Sequence, residues 1–309
     1  MAFSTSDVSR TIAAQFGGCQ EFHGSDDTRL HTAAYYGDTE TLRELLKQMT
    51  SGEAINRRNH LGCTPLRLAA TGGHTESALV LLDHGASIEV PDVKGQTPLH
   101  VAVKNLHFRC AEILLERGAD PNGDANNRST PLALAAMQGS LHLVQLLLKF
   151  RAEIVIQRKG STGLGFTIDP LKLATAYQHY DCLKLLLSSG GKPVNTSSFT
   201  GVSSPYHIQR CGSEFAELLY EFGISPWVKD SRERYPWDTE PRGVTRESEN
   251  SGGLVEFFRK IRDEPRSLKS WCRLSVWRRI SSEKKCASSL ECLPGVPASL
   301  IQYLTFERL

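Results

Sequence analysis

The residues with the most chemical capacity are eight cysteines: Cys19, Cys63, Cys110, Cys182, Cys211, Cys272, Cys286 and Cys292. A thiol does chemistry as a metal ligand, as half of a disulfide, or as a thiolate activated by a neighbouring base. No two of them form C-x-x-C, and they are spread along the chain. That spacing argues against a zinc site or a secreted disulfide framework and for reduced thiols inside a cell. Cys272 lies on an apolar stripe with Leu268 and Val276, and no histidine follows His207 to act as its base. His31, His100 and His207 recur at one position of a repeated segment, and His74 follows a turn glycine. They read as hydrogen-bonding scaffold residues rather than acids or bases. The chain has no G-x-x-x-x-G-K-[ST], H-E-x-x-H or G-x-S-x-G, and Gly163-Leu164-Gly165 lacks the third glycine and preceding strand of a dinucleotide site. The sequence therefore predicts no catalytic residues, no metal and no cofactor.

The elements around these residues follow a period. Thr64-Pro65-Leu66, Thr97-Pro98-Leu99 and Thr130-Pro131-Leu132 stand 33 residues apart, and the middle one continues as TPLHVA. A 33-residue period with this core is the ankyrin signature. Thr caps a helix, Pro takes the first helical position, and a second helix carries a Leu-Leu pair before Gly-Ala. A first repeat is recognisable at Thr28-Arg29-Leu30-His31, with Arg29 where Pro is usual. A fifth opens at Asp169-Pro170-Leu171, six residues late, so the Gly-rich insert before it is expected to be a loop. A weaker sixth runs from Ser204-Pro205-Tyr206-His207 to Gly223. The expected class is all-α: a solenoid of about six repeats with short β-hairpins, followed by a small helical unit.

Such stacks bind proteins through their tips and first helices. The expected contact residues are Asn59, His60, Val93, Lys94, Gln96, Asn127 and Arg128. The net charge of +2 pushes the reading towards neither nucleic acid nor membrane. Residues 259–285 hold ten Lys or Arg against three acids, with Trp271 and Trp277 among them, and read as a solvated helix face. No stretch approaches 18 continuous apolar residues, and the N-terminus has no basic region followed by an apolar run, so neither a membrane span nor a secretory signal is expected. Asn127-Arg128-Ser129 and Asn195-Thr196-Ser197 match the glycosylation pattern by chance in an intracellular chain.

After Gly223 the pattern changes. Residues 228–253 are charged and rich in Gly, Pro and Ser, and Leu254–Arg262 reads as a short amphipathic helix. Beyond Pro265, Leu268, Cys272 and Val276 lie at i, i+4 and i+8 on one helix face, with Trp271 beside them. Then come Leu293-Pro294-Gly295-Val296-Pro297 and a stripe of Leu300, Tyr303 and Leu304. Ser267-Leu268-x-x-x-Cys272-x-x-x-Val276 resembles the BC box of a SOCS box, and the Leu-Pro segment followed by L-x-x-Y-L resembles its cullin box.

The chain from about residue 26 to 309 thus resembles the ankyrin repeat and SOCS box family. That resemblance implies a non-catalytic adaptor whose repeats hold a target protein. Its three-helix SOCS box would recruit elongin B and elongin C, cullin-5 and the cullin's RING partner, leading to target ubiquitination and degradation. Leu268 would anchor in elongin C, with Cys272, Val276 and Trp271 beside it. Leu293, Pro294, Val296 and Pro297 would meet the cullin, although the family's Leu-Pro-apolar-Pro here holds one extra residue. The implied division is 1–25 tail, 26–224 repeats, 225–264 linker and bridging helix, and 265–309 SOCS box, in a cytoplasmic protein with access to the nucleus. An ankyrin scaffold without ligase coupling is the alternative.

Overall fold

A computed structural model describes residues 26–48, 54–127, 129–159, 165–191, 213–222, 256–257 and 260–261. Its helices are α1 (Asp26–Tyr36), α2 (Thr39–Gln48), α3 (Pro65–Gly72), α4 (Thr75–Asp83), α5 (Pro98–Lys104) and α6 (Phe108–Glu116). They continue with α7 (Pro131–Gln138), α8 (Leu141–Lys149), α9 (Pro170–Ala176), α10 (Tyr180–Ser188) and α11 (Ser213–Glu221). First helices α1, α3, α5, α7 and α9 pack side by side in one layer, and second helices α2, α4, α6, α8 and α10 form the other.

The local causes are the expected ones. The Thr64 hydroxyl accepts from the Arg67 N–H at 3.3 Å, Thr97 from His100 at 3.3 Å and Thr130 from Ala133 at 3.1 Å, each with Pro opening the helix. At α9 the same place is taken by Asp169, whose Oδ1 accepts from the Leu171 N–H at 3.0 Å. Ala69, Ala102, Ala135 and Ala174 are wholly buried, which lets first helices approach closely, while Leu81, Leu114, Leu147 and Leu186 fill the space beneath. One continuous apolar core runs from Leu30 to Phe222. Phe215, Leu218 and Leu219 of α11 belong to it, so the second helix of the sixth repeat is in place. Its opening segment, Ser204 to His207, lies outside the described residues.

The histidines that open second helices join one repeat to the next. None caps its own helix by a side-chain bond. Instead Nε2 of His74 meets the Tyr35 carbonyl at 2.9 Å, that of His107 the Thr71 carbonyl at 3.1 Å, and that of His179 the Met137 carbonyl at 3.0 Å. Each ring lies over a glycine of the preceding repeat. A Cβ on Gly73, which has φ of +72°, would come 2.5 Å from His107 Nδ1. The corresponding third-repeat position is Leu106, also left-handed at φ 62°, and there the next repeat supplies Ser140 instead of a histidine. Gly73→Ala therefore meets both backbone strain and a ring. It is expected to cost about 2–3 kcal/mol in urea unfolding. His107→Ala in the same chain should recover the steric part, so the pair should be less destabilising than the sum of the singles.

Second helices normally close on a left-handed glycine, as at Gly85 and Gly118, but one period on the residue is Arg151, at φ 63°. Arg151→Gly should stabilise the array by about 1 kcal/mol, measured as a higher midpoint of denaturation at unchanged slope.

Two features differ from expectation. The late insert is not a plain loop: β1 (Ile156–Lys159) and β2 (Gly165–Ile168) pair antiparallel, with Ile156 opposite Ile168 and Lys159 opposite Gly165. Among the described residues these are the only laddered strands. Among the described residues, the tips at 59–63 and 92–96, where short hairpins were expected, close as tight turns. After the array, the backbone at 256–257 and 260–261 is helical, as expected for Leu254–Arg262. Phe257 packs edge-on against Tyr220 of α11 at 6.1 Å, and Ile261 is buried.

Candidate functional site: the tip surface of the repeats

Two of the tips are built by an Asn or Asp at the same position of the period. Asn59 Oδ1 accepts from the Leu61 N–H at 3.0 Å and the Cys63 N–H at 2.9 Å. One period later Asp92 Oδ1 accepts from Lys94 at 2.8 Å and Gln96 at 2.9 Å. These are Asx turns, in which a short side chain stands in for a backbone acceptor. The other Asp92 oxygen meets Arg67 Nη2 of α3 at 2.6 Å, and the same guanidinium reaches Gln96 Oε1 at 3.2 Å.

This geometry sorts the expected contact residues. His60, Val93 and Lys94 are exposed on the tips. Asn59 and Gln96 are half-buried and serve turn closure. Asn127 is a correction: it is 8% exposed. Its amide donates to the Gly95 carbonyl at 3.1 Å and meets the buried His100 ring at 3.2 Å, while its Oδ1 accepts from the Ser129 N–H. It locks the fourth tip onto the third, so it faces neither a partner nor a glycan. Arg128 lies outside the described residues. The sequence reading missed Leu61, which is 54% exposed beside Val93 at 71%. Alignment of the two tips on Asn59 and Asp92 was the signal that could have found it. Leu268, Trp271, Cys272, Val276, Leu293, Pro294, Val296 and Pro297 all lie outside the described residues.

The interior thiols and His31 are perturbed by burial. Burial pushes the Cys110 thiol up to about 12 and raises those of Cys63 and Cys182, so all three stay protonated at neutral pH. His31 Nε2 faces the carbonyls of Arg57 at 2.9 Å and Cys63 at 3.2 Å. Burial lowers its pKa below the ordinary 6.5, outweighing the two carbonyls, which raise it. The unfolded chain therefore takes up the proton first as pH falls. The stability due to neutral His31 is complete above pH 6.5 and is lost as pH drops from there through the lowered folded value. Urea unfolding should show stability falling by at most about 1.4 kcal/mol per pH unit from this group in that window. His31→Gln should flatten the dependence. Among the described residues no three His, Cys, Asp or Glu group as metal ligands do, and no helix is long and apolar enough to cross a membrane.

The comparisons match this architecture along the chain. The family model for ankyrin repeats (3 copies) matches residues 30–125 and 122–198, and that for the SOCS box matches 264–305. Ankyrin repeat and SOCS box protein 1 of Mus musculus is 36% identical over 305 residues, spanning 88% of this chain and 85% of its own. The chain belongs to the ankyrin repeat and SOCS box family. Ankyrin repeat and SOCS box protein 12 of Mus musculus is 39% identical over 292 residues, covering 89% of this chain and 90% of its own. The crystal structure of the human ASB11 ankyrin repeat domain superposes with a TM-score of 0.56 at 23% identity, covering 74% of this chain and 96% of that one. That likeness establishes the solenoid fold. Ankyrin repeats joined to a SOCS box make this family member an adaptor of a cullin–RING ubiquitin ligase.

Proposed function

We propose that this chain is the substrate-recognition adaptor of an elongin B/C–cullin-5–RING ubiquitin ligase, and that it catalyses nothing itself. The observation that carries the reading is Leu268, Cys272 and Val276 at one-turn spacing, inside the segment that matches the SOCS box. Leu268 would enter a pocket of elongin C, with Cys272, Val276 and Trp271 extending the contact. Leu293, Pro294, Val296 and Pro297 would meet cullin-5, with Gly295 absorbed in the loop. In this reading residues 1–25 are a tail, 26–224 hold the target, 225–264 bridge, and 265–309 recruit the ligase. The chain's contribution is proximity: a target lysine and a charged conjugating enzyme held in one assembly react at high effective concentration. The work would be done in the cytoplasm, with access to the nucleus.

Co-expression with elongin B and elongin C, followed by size-exclusion chromatography, tests this. A ternary peak lost in Leu268→Asp/Cys272→Asp supports it. A folded wild-type chain that never co-elutes with elongins would leave an ankyrin scaffold without ligase coupling.

A further inference from the structure

The tip surface has a chemistry of its own. From 57 to 72 the sequence carries Arg57, Arg58 and Arg67 and no acid. Three acids at the tips and first-helix starts are engaged by the fold. Asp92 holds Arg67 and two N–H groups, Asp124 accepts from the Asn126 N–H at 2.8 Å, and Asp169 caps α9. Arg58 and Lys94 are exposed, and neither has a carboxylate partner among the described residues. The second helices differ: their charges neutralise one another, as in Arg43 with Glu40 and Glu76, both at 2.7 Å, and Arg117 with Asp83 at 2.8 Å.

Between the basic tip residues stands an apolar pair. Leu61 and Val93 belong to adjacent tips joined by a bond from the Val93 N–H to the Leu61 carbonyl at 3.5 Å. A Cβ on Gly62 would touch Val93 Cγ1 at 3.0 Å, so the two tips are in close contact. Exposed apolar residues with the exposed cations Arg58 and Lys94 close by in the same two tips suit a partner segment with an apolar anchor and acidic flanks. The anchor supplies burial, and the flanks supply steering and register.

We propose that the target segment held by this chain is acidic with an apolar anchor, and that it seats across the second and third tips, on Leu61 and Val93 between Arg58 and Lys94. The proposal rests on the adaptor reading for why a target is held and adds the target's chemistry.

The test is to pan a random-peptide display library on the full chain, both alone and after co-expression with elongin B and elongin C. The same panning is repeated on Arg58→Glu/Lys94→Glu, and on Lys47→Glu/Lys149→Glu as a second-helix control. The expected result is enrichment of Asp and Glu around Leu, Ile or Phe on the wild type and the control, and its loss on the tip variant. An enriched peptide should bind the tip variant about tenfold more weakly by fluorescence anisotropy, and Val93→Ser should also weaken it. Neutral or basic winners, or winners indifferent to the tip variant, overturn the proposal. So does single-stranded RNA that outcompetes the enriched peptide at the tips. Elongin co-elution without an acidic preference sinks only this proposal; an acidic preference in a chain that binds no elongin sinks only the adaptor reading.

Discussion

Leu268→Asp is expected to abolish co-elution with elongin B and elongin C while leaving the thermal transition of the repeats unchanged. Losing a buried leucine removes about 1.5–3 kcal/mol of transfer energy. A carboxylate in an apolar groove adds a desolvation cost of several kcal/mol unless it finds a partner. Together these exceed about 4 kcal/mol, a loss of roughly a thousandfold in affinity. Leu268→Ala keeps the groove dry and should lose only the transfer part, so the two substitutions separate burial from charge. The adaptor reading puts Leu268 against elongin C and not in the core of the repeats, so their melting should not respond. If a melting shift accompanies the lost binding, the C-terminal segment is instead a cap on the array.

Arg67→Ala is expected to be the most damaging single change among the described tip residues, at about 3–5 kcal/mol in urea unfolding. Arg67 and Asp92 are 12% and 4% exposed at their side chains and 2.6 Å apart. Removing the guanidinium leaves a buried carboxylate that still holds the third tip through Lys94 and Gln96 but has lost its counter-charge. The pair itself need not add net stability: Arg67 Nε is buried without a partner, so desolvation is only partly recovered. Arg67→Met/Asp92→Asn, which keeps the Asx turn and removes both charges, should lie within about 1 kcal/mol of wild type. A double variant as unstable as Arg67→Ala would mean that the turn, not the uncompensated charge, controls the site.

What could be read from the sequence was what neighbours along the chain decide. Thr64, Thr97 and Thr130 each cap a bond three residues away, Pro follows each of them, and the 33-residue spacing repeats the unit. A cap needs only its own turn, so residue type and position suffice. The SOCS box was legible from patterns of the same local kind, and the family model matches it at 264–305. Contacts between repeats were not legible. Asn127 looked like a free tip residue because its partners, Gly95 and His100, lie 32 and 27 positions away. The insert read as a loop because pairing of 156–159 with 165–168 depends on cross-strand register rather than on an apolar alternation within either strand. The sequence by itself determined a stack of ankyrin repeats with a SOCS box behind it. Only the tertiary structure decided which tip side chains are tied up in joining one repeat to the next and which, such as Leu61, Val93, Arg58 and Lys94, remain exposed, because burial is set by repeats packing across the stack.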